Sequence, residues 1–211
     1  MVRAVADIKL KAPDAIINTI NGNTNAHFFR DLRAAGITPD KVPTLSLSIT
    51  ESEVMGLNPD SMQGDYLAAS YFQTIDRAES REFLRKLRKR YGDTHVATDP
   101  MAAAYSAVQI WAKTVERVGT ADPNTVRAAL RGVEFEDIRG HITIDAENQH
   151  CWLPARIGRI RPDGLVDLVP GAGSETPIRP VPFPTTRKPD VWKQYLRSLQ
   201  FEWNGKWQPP E

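Results

Sequence analysis

The sequence predicts an α/β fold in which a parallel sheet with crossover helices is followed by a small antiparallel appendix. Three observations carry that prediction. Residues 1–48 alternate helix, strand, helix and strand; apolar residues then recur at helical spacing from Ser80 to Leu130; and after Gly132 the pattern turns to short strands and tight turns.

Val2, Val5, Ala6 and Leu10 fall near one helical face, and Pro13-Asp14 breaks that pattern before the apolar run Ala15-Ile16-Ile17. The spacing predicts a helix feeding a buried strand over Ala15–Thr19. The polar segment from Asn18 to Asn25 contains Gly22 and suits the turn that opens a helix. Phe28, Phe29, Leu32 and Ala35 give that helix, Gly36 ends it, and a second strand over Thr44–Ser48 follows Pro43. Thr50 lies three residues before Glu53, the spacing of a capping box, so another helix starts there. A strand over Asp65–Phe72 comes next.

Two amphipathic helices follow, one from Ser80 to Tyr91 with Phe83, Leu84 and Leu87, and one from Asp99 to Gly119 with Met101, Tyr105, Val108, Trp111, Ala112 and Val115. A third, Asp122 to Leu130, opens on Asp122-Pro123, a cap followed by proline at the first helical position. The appendix comprises Gly140–Ile144, Ala155–Ile160 and Leu165–Val169, the last behind a Pro162-Asp163-Gly164 turn. From Pro170 to Pro189 glycine and proline are dense enough to predict an extended surface segment without regular structure. A helix over Asp190–Leu199 and a tail with Trp203 and Trp207 close the chain, and the C-terminal tryptophans are expected to pin the proline-rich segment to the body.

The chain has 211 residues, 41% of them hydrophobic, enough for a core. Lys plus Arg number 27 against 26 Asp plus Glu, a net charge of +1, which points to neither nucleic acid nor an anionic membrane. The basic run Arg85 to Arg90 is interrupted by Leu87 and reads as the solvated face of a helix. Cys151 is the one cysteine and has no metal-spaced partner, so no metal and no cofactor is expected. No stretch reaches the roughly 18 apolar residues of a membrane span. The charged residues within Met1–Leu10 do not form an export signal.

Four segments resemble the periplasmic urea-binding and amide-binding receptors, type I solute-binding proteins of ABC transporters. They are Ile16 to Asn23, Ser46 to Val54, Tyr71-Phe72 with Ile75-Asp76, and Asp99-Pro100-Met101 with Tyr105; Asn148-Gln149-His150 followed by Arg156-Ile157-Gly158 also fits. The matches cover most of residues 1–169, and the wording around Asn18 to Asn23 and Asp99 to Met101 is nearer to the urea branch. The resemblance implies a type I periplasmic-binding-protein-like fold of two α/β lobes that close over a ligand. It also implies that the chain corresponds to the C-terminal half: residues 1–70 to part of the second lobe, 71–132 to a helical return into the first lobe, 133–169 to an appendix back in the second, and 170–211 to a tail. The first lobe's sheet and the opening strands of the second have no counterpart here, so exposed sheet edges are expected.

Ligands of open α/β sheets bind beyond the carboxyl ends of the strands. Two loops lie there, Ile20 to Asn23 and Ser48 to Thr50. An amide or urea presents a carbonyl acceptor and N–H donors, which carboxamide and hydroxyl side chains can match. By resemblance, Asn21 and Ser48 are positions where the second lobe touches its ligand, with Thr19, Asn23, Thr50 and Tyr71 as further candidates. Capping explains an Asn-Gly turn and a Ser or Thr near a helix start equally well. Tyr71 and Tyr105 also suit packing, with their hydroxyls bound locally.

No catalytic residue is expected. The histidines 27, 95, 141 and 150 form no metal motif or triad order, and the adjacent His150-Cys151 would point to opposite faces of a strand. The resemblance implies a receptor for urea or a short-chain amide. Its partner would be a membrane ABC permease or, for a cytoplasmic amide-sensing regulatory protein, another protein. A truncated fragment unable to bind is the third alternative. Periplasmic localisation requires a full-length gene that encodes a signal peptide; the alternative is the cytoplasm.

Overall fold

The structure is a computed structural model and describes residues 2–182 and 188–206. Helix α1 (Val2–Lys11) leads to strand β1 (Ile16–Asn18), α2 (Thr24–Ala34) and β2 (Thr44–Ser46). Next come α3 (Glu51–Leu57), a short 3-10 turn (Pro59–Ser61) and β3 (Tyr66–Ala69). Three helices follow, α4 (Ala78–Tyr91), α5 (Asp99–Val118) and α6 (Pro123–Ala129), then strands β4 (Glu134–Asp137), β5 (Gly140–Ile144), β6 (Cys151–Ile160) and β7 (Val166–Ile178), and helix α7 (Pro189–Glu202). The α/β class and the order of elements follow the sequence patterning, and the three parallel strands are shorter than the apolar runs that predict them.

β1, β2 and β3 are parallel neighbours in that order, with Asn18 level with Ser46 and Ser46 level with Leu67. The appendix does not stand apart from them. β6 pairs antiparallel with β3, Leu67 level with Gly158, and its first two residues pair with β5, which pairs with β4. One strand of ten residues therefore belongs to both groups. β7 lies on β6 as well, giving a seven-stranded mixed sheet with β1 at one end.

The expectation of no regular structure after Pro170 is corrected by β7, which continues to Ile178. Two register shifts reconcile the composition with pairing: Arg156 opposes Gly173 while Gly158 opposes Leu168, so Pro170 and Gly171 sit in a bulge that needs no ladder donor. Gly173 has φ +82°, and a Cβ there would strike the Ala155 carbonyl, so the close approach of β7 to β6 requires glycine.

The core lies between one face of the parallel strands and the helices. Ile16, Phe29, Leu32, Val54, Met62 and Leu67 fill it, with Phe28 and Phe29 edge to face at 5.4 Å. Within that core Asp65 accepts from the Thr44 amide at 2.8 Å and from Arg33. Burial outweighs both interactions and raises its carboxyl to about 6. The opposite face of the same strands is open: Ile17 is 72% exposed and Leu45 only half-buried. α7 has no fully buried residue, Trp192 meets Tyr195 of the same helix edge to face at 5.8 Å, and Trp207 and residues 183–187 of the proline-rich segment lie outside the described residues. The strap after β7 is held by Arg179, which bonds Asp145 at 2.9 Å and Glu147 at 2.6 Å and lies over the Trp152 ring.

Candidate functional site

The carboxyl ends of β1 and β2 each open into a polar loop, because a parallel strand delivers its chain to the same side of the sheet before every crossover helix. A buried brace of side chains underlies the first loop. Asn18 is buried, and its Nδ2 donates to Asn25 Oδ1 at 2.9 Å and to Ser46 Oγ at 3.1 Å, while its Oδ1 accepts from the Ile20 amide at 2.9 Å. Asn25 in turn donates to the carbonyls of Ile20 at 2.8 Å and Gly22 at 3.2 Å. Two carboxamides thus fix the loop from β1 to α2 and hold it to β2.

Ser48 ties the second loop to the first, donating from Oγ to the Ile20 carbonyl at 3.1 Å. Asn21 is exposed at the crest of its loop, as are Thr19 and Asn23. Asn23 occupies the cap position of α2 without a side-chain cap bond. Thr50 is engaged locally: the Glu53 carboxylate accepts from its amide at 2.8 Å and its hydroxyl at 2.9 Å, closing the helix start that the spacing predicts. Tyr71 lies apart from the loops, 1% exposed, with its hydroxyl 3.0 Å from Ser80 Oγ and its ring against Phe83 at 6.2 Å. Burial pushes its phenol up to about 12. The fold brings together Asn21, Ser48, Thr19 and Asn23, gives Thr50 a cap's work, and sets Tyr71 in the core.

Asn18, Asn25 and Ser46 are the residues that sequence reading misses. An asparagine at the last position of a strand with another seven residues on was the available signal, and only the closure of the turn shows that they meet.

Beneath the second loop, Glu51 at the start of α3 is 2% exposed; one oxygen accepts from the Gln73 amide at 3.2 Å and the other has no partner. Burial raises its carboxyl to about 7. Gln73 also accepts from the Ala97 amide at 3.1 Å, so the passage from β3 to the helical segment is held from both sides. Close by, Arg156 of β6 is buried and binds the Ser70 and Arg139 carbonyls and, bidentately at 2.7 and 2.5 Å, Glu175 of β7.

Two polar loops thus lie over the carboxyl ends of the parallel strands, with a passage beside them from β3 to the helical segment. Residues 1–189 match the family described as "Periplasmic binding protein domain". This chain belongs to that family. Among solved structures it resembles an amino acid ABC transporter substrate-binding protein from Pseudomonas fluorescens Pf-5, with TM-score 0.73 and 21% identity over 85% of this chain and 48% of that one. It also resembles a leucine-binding protein from Thermotoga maritima, with TM-score 0.67 and 20% identity over 82% of this chain and 47% of the other. The curated relatives include a protein named limonene hydroxylase from Geobacillus stearothermophilus, 30% identical over 64% of this chain and 26% of its own length. Another is Leu/Ile/Val-binding protein homolog 6 of Brucella abortus, 28% identical over 47% of this chain and 26% of its own length. The chain therefore spans about a quarter of these curated relatives and about half of the solved structures. Among the described residues, no helix is long and apolar enough to cross a membrane.

Proposed function

We propose that this periplasmic binding protein domain is the C-terminal half of a receptor for urea or a short-chain amide that feeds an ABC-type importer in the periplasm. The observation that carries the reading is the pair of loops at the ends of β1 and β2, linked through Ser48 and the Ile20 carbonyl, with Asn21 exposed above the Asn18–Asn25 brace. Their side chains suit a neutral solute. Residues 18–25 and 46–50 contain amides and hydroxyls and no lysine or arginine, so this wall has no side-chain cation for the carboxylate of an amino acid or an aromatic acid.

Asn21 and Ser48 are the proposed ligand contacts, with Thr19 and Asn23 beside them and Thr50 and Tyr71 in supporting positions. Residues 1–70 and 133–169 would form part of one lobe and 71–132 would return to the other, with the tail from 170 beyond. Binding rather than catalysis is supported by how the reactive side chains are engaged: Asp137 bonds Ser106 and Arg139, His141 lies 2.9 Å from Glu136, and burial raises the Cys151 thiol.

Calorimetry with urea, acetamide, formamide and leucine on this chain and on a full-length receptor containing it tests the reading. Urea or an amide should bind the full-length protein, and Asn21→Ala or Ser48→Ala should each weaken binding by about 1–3 kcal/mol, the loss expected for one buried hydrogen bond. Leucine binding alone, or affinities unchanged by both substitutions, would refute it. Binding by the long protein only would show that one wall does not suffice.

A further inference from the structure

Glu51 is the first residue of α3 and follows directly on residues 48–50, the second loop of the proposed site. Ile49 is 4% exposed and anchored in the core, so this loop cannot shift without moving the start of the helix. The Glu51 carboxylate takes the Gln73 amide at 3.2 Å, and the Gln73 side chain takes the Ala97 amide at 3.1 Å. Residue 73 lies between β3 and α4 and residue 97 between α4 and α5. Two hydrogen bonds therefore run from the site loop to the segments on either side of α4.

The first loop is braced by neutral groups, Asn18, Asn25 and Ser46. The second depends on a carboxyl that is 2% exposed and has one oxygen without a partner, and no lysine, arginine or histidine among the described residues pairs with it. The Gln73 and Val166 amides favour its charged form, the latter beyond bonding geometry, and burial outweighs both. Its titratable neighbour is the Tyr71 phenol, which is engaged with Ser80 and feels Arg88 of α4. At the head of the same segment Ser70 donates to Asp99, and its carbonyl accepts from Arg156. A buried carboxylate recovers hydration only if the helix start parts from residue 73, whereas a buried carboxylic acid has no such need. Protonation thus closes this joint and ionisation loosens it.

We propose that Glu51 is a positioning residue: through Gln73 it ties residues 48–50 to the segments flanking α4, and its proton sets how firmly the site holds a solute. By linkage, a solute that clamps residues 48–50 favours the protonated form, and affinity falls as the proton leaves. The proposal rests on the receptor reading for the solute, whereas the tie itself is measurable without one.

Amide exchange without solute, on a full-length receptor containing this chain, tests the tie. Protection at Gln73 and Ala97 should fall about tenfold from about pH 6 to about pH 8, the change expected when opening returns a carboxyl buried at about 7 to its ordinary 4.5. Both amides should exchange well ahead of those of β3, and Glu51→Gln, which leaves all four histidines in place, should remove the pH response. In Gln73→Ala the Ala97 amide should lose that response while the residue 73 amide keeps it. Calorimetry with urea and acetamide, which carry no charge in this range, then reads the site. Affinity should fall several-fold over the same interval in the wild type and stay level in Glu51→Gln. Exchange no faster than that of β3, a response that survives Glu51→Gln, or an affinity independent of pH would overturn the proposal. A receptor that binds neither probe would overturn the receptor reading and the coupling to solute with it, and the exchange pattern would still decide the tie.

Discussion

At Glu51 the fold buries a carboxyl with one amide donor and an unpartnered oxygen, and burial moves its ionisation from 4.5 to about 7. Because the folded state binds the proton more tightly than the unfolded state, stability is full below about 4.5 and is lost as pH rises through about 7. Asp65 acts in the same sense between 3.8 and about 6. Glu51→Gln keeps an acceptor for the Gln73 amide without the charge. Thermal melts across pH should therefore show the wild-type decline above about 6 disappear in this variant while the Asp65 decline below it remains. Asn18 presents the opposite case, a neutral group with every bond made. Asn18→Ala would strand Ser46, Asn25 and the Ile20 amide and should cost about 1–3 kcal/mol, read as a lower urea midpoint at unchanged m. Neither residue announces itself in the sequence, since burial depends on elements that meet only after folding. The Thr50–Glu53 cap does, because both partners lie within one turn.

Among elements, local pattern decides what can be read. α4, α5 and α6 stand in the periodicity and caps, and the apolar runs mark β1, β2 and β3, though those strands end earlier where the backbone turns toward the polar loops. β7 is concealed because Pro170 and Gly171, turn residues elsewhere, sit in a bulge against β6, while Gly173 pairs with Arg156 from a left-handed backbone. Gly173→Ala should destabilise the protein by about 1–3 kcal/mol, since the new Cβ meets the Ala155 carbonyl from a left-handed backbone. Hydrogen exchange should quicken in residues 173–178 and stay slow in β3. Equal quickening throughout would mean that the two strands do not open separately. The apolar face of α5 is legible in the sequence; that its Met101, Val108 and Trp111 point outward is not, because amphipathicity does not say which side has a partner.

At the scale of the whole molecule, the open end of the sheet makes a direct prediction. The Ile16 amide bonds to Pro43 and the Asn18 carbonyl accepts from Leu47, so strand alternation turns the Ile17 backbone outward. Its amide should exchange with solvent orders of magnitude faster than those of the central strand β3 in a monodisperse monomer; equal protection would show that the edge is covered. Expected from the resemblance, this edge follows from which strands are present, whereas the pairing of β6 with β3 links residues some ninety positions apart and leaves no local trace. That pairing has a mechanical consequence. β6 is gripped by β5 at Cys151 and Trp152 and by β3 from Arg156 onward, and between the grips lie Leu153, Pro154 and Ala155, where its register with β7 shifts. Proline there supplies no ladder donor. Any swing of the β4–β5 hairpin against the parallel strands must flex this three-residue span, anchored on one side by Arg156. Leu153 and Ala155 pair with Ile178 and Ser174, so β7 laps this joint as a splint laps a spliced beam.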